Sequence, residues 1–317
     1  MPLPNSLSYF VSRVESGSFP SFHVFPGGKI EYSDGLPEWL NLVDVGDNIQ
    51  PNSLQLSSKK TEDLSILDFK ICAIRESYEE TGFLLASKIP NIHDSIKSQH
   101  QKEFINFVKD NDIKVLSSRL LYFCRWITPK QSFRRWDVQF FMLNISDSQE
   151  DSNLLVQIYP QLNPSSNTNM MHQVSELVCL DWRTPDKFYD AFCEGEIKTV
   201  TPQVYMLNQM KMFHRWQDLQ NFAIYKDTVE GIKPFISYLN LKPYPAVKIY
   251  TLPGDHMYQT QFEDKIDLEQ EGDFSKPIHR VIVKKFCKGK KKNVRIVENI
   301  VNIPGIKFPT VPLPNKL

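Results

Sequence analysis

Three glutamates on one face of a helix constrain this chain more than any other feature. Between Glu62 and Thr81 the apolar residues Ile71, Ile74 and Tyr78 recur at three- and four-residue spacing, and Gly82 follows as a residue suited to end a helix. The same segment carries Arg75-Glu76-Ser77-Tyr78-Glu79-Glu80-Thr81-Gly82. Helical spacing puts Glu76, Glu79 and Glu80 on a common face, where like charges repel. Arg75, four residues before Glu79, relieves part of that repulsion. A hard divalent cation would relieve the rest, because Mg²⁺ takes oxygen ligands, keeps several waters and binds substrate phosphates. A plain solvated acidic face has the same pattern, so the helix alone leaves both readings open.

The chain has 317 residues, with 37 Lys+Arg against 37 Asp+Glu and a formal net charge of zero. That balance argues against nucleic acid or an anionic membrane as the main partner. It conceals two patches: Lys276–Arg295 holds nine Lys/Arg and no acid, while Glu263–Asp273 holds six acids and one Lys. Either the patches face each other across a surface, or the basic one attracts an anionic substrate. Five scattered cysteines, Cys72, Cys124, Cys179, Cys193 and Cys287, form no C-x-x-C pair. They exclude a zinc ribbon or thioredoxin-like motif and favour a reducing compartment. No apolar run is long enough to span a membrane, and Met1–Asn5 does not begin a secretory leader. A soluble intracellular protein is expected.

Strands are expected at Leu7–Val14, His23–Phe25, Leu120–Ile127, Val138–Ile145, Glu176–Trp182, Val247–Leu252, His279–Phe286 and Val294–Val301. Helical patterns cover Asp94–Lys109, Asp186–Glu194 and Thr201–Asn221, the last with Val204, Leu207, Met210, Phe213 and Trp216 as core. Gly35–Thr61 is loop-like, with Trp39 and Leu40 as scattered anchors and at most a short helix. Ser146–Met171 is another loop, Gly289 lies at a hairpin tip, and Pro304–Leu317 is an extended tail.

Phe25-Pro26-Gly27-Gly28-Lys29-Ile30-Glu31, followed by Arg75-Glu76-x-x-Glu79-Glu80-x-Gly82-Phe83, resembles the Nudix signature G-x5-E-x7-R-E-U-x-E-E-x-G-U, where U is apolar. Gly28 is its first glycine, and Asp34 stands where a glutamate is usual. The seven-residue gap before Arg75 is replaced by the 40 residues Gly35–Ile74. Such an insertion is similar to that of the peroxisomal coenzyme A diphosphatases. The resemblance extends to Trp126-Ile127-Thr128-Pro129, Arg134-Arg135-Trp136-Asp137, Leu252-Pro253-Gly254-Asp255 and His279-Arg280.

The resemblance implies an α/β Nudix fold, a mixed sheet between helices, over residues 1–235 with the insertion at about 35–67. A C-terminal β-rich extension with an exposed tail fills 236–317. It also implies hydrolysis of coenzyme A or acyl-CoA to 3′,5′-ADP and (acyl-)4′-phosphopantetheine. Glu76, Glu79 and Glu80 would hold Mg²⁺, or Mn²⁺ in its place, and Arg75 would orient the carboxylates. The general base would be Glu76 or Glu176, although Glu176 also reads as a strand-edge surface residue. Gly27 and Gly28 would let backbone approach the phosphates. Arg134 and Arg135 would bind a phosphate or form a solvated loop. Asn315-Lys316-Leu317 is a variant of the Ser-Lys-Leu address and implies a peroxisomal import receptor as partner, with a cytoplasmic location if it is not read. The other readings are hydrolysis of a different nucleoside diphosphate derivative, such as a dinucleotide or an mRNA cap, and an idle Nudix fold that only binds.

Overall fold

The long helix begins where its first side chain can cap it. Ser65 accepts from the Asp68 backbone, and Asp68 accepts in return from the Ser65 backbone at 2.9 Å. This capping box places the start of helix α1 at Ile66, inside the expected Glu62–Thr81 span, and α1 runs Ile66–Thr81. Gly82, in the left-handed region at φ 75°, closes it by donating to the Tyr78 carbonyl. The computed structural model describes residues 8–13, 22–44, 64–86, 103–129, 132–144, 155–157, 177–213, 215–240, 247–258, 277–288 and 291–302.

Twelve strands are described: β1 Ser8–Arg13, β2 His23–Val24, β3 Phe83–Leu85, β4 Leu121–Ile127, β5 Asp137–Met142, β6 Leu155–Gln157, β7 Leu177–Arg183, β8 Pro234–Ile236, β9 Tyr238–Asn240, β10 Val247–Thr251, β11 Ile278–Lys288 and β12 Lys291–Asn302. After α1 come the helices α2 Phe104–Asp110, α3 Pro185–Cys193, α4 Thr201–Lys211 and α5 Trp216–Tyr225. The central sheet is mixed, in the order β5-β4-β8, with β4 antiparallel to β5 and parallel to β8. Successive β5 side chains point to opposite faces. Phe141 therefore packs with the α1 and α2 core, and Phe140 with the core of α3, α4 and α5. A mixed sheet between helices is the expected α/β architecture.

On the first face Leu67, Ile71, Ile74 and Tyr78 of α1 are buried, each aliphatic side chain worth about 2 kcal/mol in burial. Tyr78 stacks on Phe107 with centroids 5.0 Å apart. The insertion starts as short turns around its apolar anchors, in line with a loop holding at most a short helix. Tyr32–Gly35 and Pro37–Asn41 form 3-10 turns, and Trp39, 1% exposed, is a core residue whose indole N–H donates to the Ser33 carbonyl. The apolar anchors thus pull the first ten residues of the excursion back into the core. Residues 45–63 lie outside the described residues.

On the second face the expected single helix over Thr201–Asn221 is two. Met212 and Phe213 donate three residues back, which tightens the end of α4, and Arg215 is extended at φ −127° and ψ 139°. Phe213 then meets Phe222 at 5.1 Å, so the break folds α5 back over the same core. Leu252 and Val281 from the C-terminal sheet, ordered β12-β11-β10-β9, join that core.

A buried polar clip secures the junction. Asp255 accepts both forks of Arg280 at 2.8 and 2.9 Å, together with the backbone N–H groups of Met257 and His279. His279 Nδ1 donates to the Pro253 carbonyl, which leaves Nε2 to accept from the Tyr205 hydroxyl of α4 at 2.8 Å. Of the nine cations in Lys276–Arg295, Arg280 is buried and paired with Asp255, so it is not part of a basic surface patch.

Burial holds the His279 pKa below its ordinary 6.5. As pH falls through that value, the unfolded chain takes up a proton that the folded chain refuses. His279 therefore leaves stability complete above about pH 6.5 and erodes it below, until the folded pKa is passed. Thermal melts at about pH 7.5 and about pH 5.5 should show a smaller acid-induced drop in Tm for His279→Gln than for the native chain. An equal drop would exclude His279 as a source of the acid sensitivity.

Candidate active site

Arg75, 2% exposed, organises the acidic face of α1 from below. Its Nε and Nη2 donate to the two oxygens of buried Asp34 at 2.8 and 3.0 Å, a planar two-pronged pair. Nη2 also donates to the Lys29 carbonyl at 2.9 Å. Nη1 donates to Glu76 Oε1 and Glu79 Oε2, both at 2.9 Å. Asp34 is positioned in turn by the Glu31 backbone N–H, which donates to Oδ2 at 2.8 Å. One guanidinium thus aligns two of the three predicted glutamates and ties both to the segment before the insertion.

The glycine turn supplies the opposite wall. A Cβ on Gly28 would lie 2.3 Å from Glu76 Oε1 and 2.4 Å from Oε2, so that position admits no side chain while Glu76 keeps its place. Gly27, at φ 151°, directs its backbone N–H to Glu80 Oε2 at 3.0 Å. The structure therefore brings together Gly27, Gly28, Arg75, Glu76, Glu79 and Glu80.

Burial and mutual repulsion act against Arg75 at the acidic face. Burial raises the pKa of Glu76, the charge and hydrogen bond of Arg75 oppose this, and Asp34 and Glu31 add further repulsion. Burial likewise raises Glu79, with Arg75 opposing and Glu76 and Glu31 adding to the rise. Burial also disfavours the Arg75 charge, but the hydrogen bond and charge of Asp34 and the neighbouring glutamates outweigh it and keep the guanidinium protonated. Among the described residues, no three His, Cys, Asp or Glu side chains converge as a ready-made metal cage. A hard cation that keeps several waters and takes one or two carboxylates does not require one. The all-oxygen donor set and the clustered carboxylates fit such an ion.

Arg134 and Arg135 lie exposed on the β4–β5 loop, where Arg135 Nε donates to the Thr128 carbonyl at 3.3 Å. The neighbouring Trp136 ring lies 5.7 Å from Lys29 Nζ, which sets this loop beside the glycine turn. Glu176 and Asn315-Lys316-Leu317 lie outside the described residues, as does the acidic run Glu263–Asp273. The sequence reading missed the contact of Trp136 with Lys29 and the Asp255 clip. An acid in a tight turn followed by His-Arg in an apolar strand is the signal that could have found the clip.

Residues 8–210 match the NUDT19 Nudix domain family. The chain is 27% identical over 297 residues to acyl-coenzyme A diphosphatase NUDT19 of Xenopus laevis, covering 77% of this chain and 69% of that protein. It is 23% identical to the Homo sapiens protein of the same name, over 76% of this chain and 69% of the other. The Gallus gallus protein of that name is 23% identical over 89% of this chain and 83% of its own length.

Removing Asp34 leaves Arg75 buried beside two glutamates it can no longer align. Asp34→Ala should destabilise the fold by about 3–5 kcal/mol, read by urea unfolding. Gly28→Ala should leave stability nearer native and weaken divalent-cation binding by about 10- to 100-fold, read by calorimetry, because Glu76 must move. Native-like cation affinity in Gly28→Ala would show that Glu76 does not need its observed position.

Proposed function

The chain belongs to the NUDT19 Nudix domain family, and from that premise we propose that it hydrolyses the diphosphate of coenzyme A and acyl-CoA. The observation that carries this reading is the Arg75 hub, which holds Glu76 and Glu79 in line and fixes them to the glycine turn. Water adds to one phosphorus while the bridging oxygen leaves with the other. The products are 3′,5′-ADP and 4′-phosphopantetheine, acylated when the substrate is.

Glu76, Glu79 and Glu80 hold the cation in this reading, Mg²⁺ or Mn²⁺. When bound, such an ion offsets the diphosphate charge and makes water a stronger acid. Arg75 does not touch the substrate; it keeps the glutamates ionised and aligned. Gly28 leaves room for the Glu76 carboxylate, and the open space at Gly27 is where a phosphate would approach the backbone. A proton must also leave the attacking water, and Glu76, a carboxylate of the acidic face, is one candidate acceptor. Glu176 is the other. Arg134 and Arg135 meet a phosphate of the nucleotide half.

For location, Asn315-Lys316-Leu317 supports import into peroxisomes through the receptor that reads Ser-Lys-Leu-type termini. Among the described residues no helix is long and apolar enough to cross a membrane.

The test offers the purified chain CoA, acyl-CoA, NADH, ADP-ribose and capped RNA in the presence of Mg²⁺. CoA and acyl-CoA should release 3′,5′-ADP. Glu80→Gln should lower kcat by about a hundredfold or more with an unchanged melting curve. Turnover of NADH, ADP-ribose or capped RNA in preference to CoA would move the assignment to another nucleoside diphosphate derivative. Turnover of none would leave a binding protein.

A further inference from the structure

The loop from Thr128 to Asp137 exposes an unusual pair of aromatics. Phe133 is 100% exposed and Trp136 is 37% exposed, and the two flank Arg134 and Arg135. Large rings left in water forgo the burial that normally makes them core residues. The mount beneath them is tied down. The Thr128 N–H donates to the Trp136 carbonyl at 2.8 Å, the Trp136 N–H donates to Thr128 Oγ1 at 2.9 Å, and the Ser132 N–H donates to the Pro129 carbonyl at 3.0 Å.

This mount is connected to the acidic face through a short series of contacts. The ammonium of Lys29 sits over the Trp136 ring at 5.7 Å, and the carbonyl of Lys29 accepts from Arg75, which holds Glu76 and Glu79. Four residues on from Trp136, within strand β5, Phe140 meets Phe25 edge to face at 6.4 Å, next in sequence to Pro26-Gly27-Gly28. The loop and the Arg75 hub therefore share Lys29, one through its ammonium and the other through its carbonyl.

The order aromatic, cation, cation, aromatic selects among ligand chemistries. A saturated acyl chain gains nothing from two guanidinium groups at its side. A planar base carrying a phosphate uses all four: rings stack on either of its faces, and guanidinium forks match phosphate oxygens. We propose that Phe133 and Trp136 stack on the adenine of the substrate while Arg134 and Arg135 engage its 3′-phosphate. The β4–β5 loop is then the element that selects the 3′-phosphoadenosine half. This rests on the reaction assigned above and adds which half of the substrate is read, and by what.

The test uses the full chain and needs no turnover. Calorimetric binding of adenosine 3′,5′-bisphosphate in metal-free buffer should weaken about tenfold in Phe133→Ala and in Trp136→Ala. Trp136→Phe, which keeps a π face, should recover most of the loss. Arg134→Gln combined with Arg135→Gln should weaken the bisphosphate while leaving adenosine 5′-monophosphate nearly as before. In hydrolysis, Phe133→Ala should raise KM for CoA more than it lowers kcat, and should raise KM for dephospho-CoA by a similar factor, because both carry the base. Melting curves of all variants guard against misfolding.

Unchanged bisphosphate affinity in both alanine variants would overturn the inference. So would a KM effect that appears only with lengthening acyl chains, since the acyl arm would then occupy the loop. Ring-dependent nucleotide binding by a chain that hydrolyses neither CoA nor acyl-CoA would defeat the reaction assignment and leave the loop's role standing. Hydrolysis of CoA without ring-dependent binding would do the reverse.

Discussion

The pairing of Asp34 with Arg75 is the constraint on which the site depends. It is a buried ion pair with both prongs made, and such pairs are retained at a desolvation cost that only good geometry offsets. Here the geometry has a second use. Because two of the guanidinium nitrogens are committed to Asp34, Nη1 is free to address Glu76 and Glu79 together, and Nη2 reaches the Lys29 carbonyl. A lysine could not do this, having one nitrogen at the end of a flexible stem. Asp34 in the place of the usual glutamate is accommodated by the capping box it shares with Glu31, which brings the shorter side chain to the guanidinium.

The same pair explains why a 40-residue excursion can interrupt the acidic motif. Loop-closure entropy grows only slowly with length, so a long insertion costs little once its ends are fastened. The near end is fastened by Trp39 and Val43 in the core, and the far end by the Ser65 capping box. Both fastenings use ordinary packing and capping, and neither draws on the glutamates.

How much of this was legible beforehand varied with the range of the interaction. The α1 periodicity, the strand patterns and the common face of Glu76, Glu79 and Glu80 follow from spacing within one element, and the observed bounds differ by a few residues. The family resemblance reached Gly27, Gly28 and Arg75 because their order in the chain is distinctive. What could not be read was which distant side chains meet. Trp39 stands out locally only as an apolar anchor in a loop-like stretch, and what it packs against could not be read from its neighbours. Nothing in Thr201–Asn221 announces a break, because its apolar spacing continues smoothly across residues 212–215 until Phe213 turns to meet Phe222. Arg280 reads as one cation among nine, and only the tight turn at Asp255 removes it from the surface.

The contact of Gly27 with Glu80 spans 53 positions, and that of Asp34 with Arg75 spans 41. Contacts of such separation carry a loop-closure cost that contacts within one helix do not. Within α1 Arg75 offsets part of the acidic face, and the chain ahead of the insertion then fixes that guanidinium through Asp34 and adds the Gly27 N–H to Glu80. A nascent or partly folded chain carries every residue of the motif and none of its geometry. The arrangement of the acidic face thus depends on two segments separated by the whole insertion.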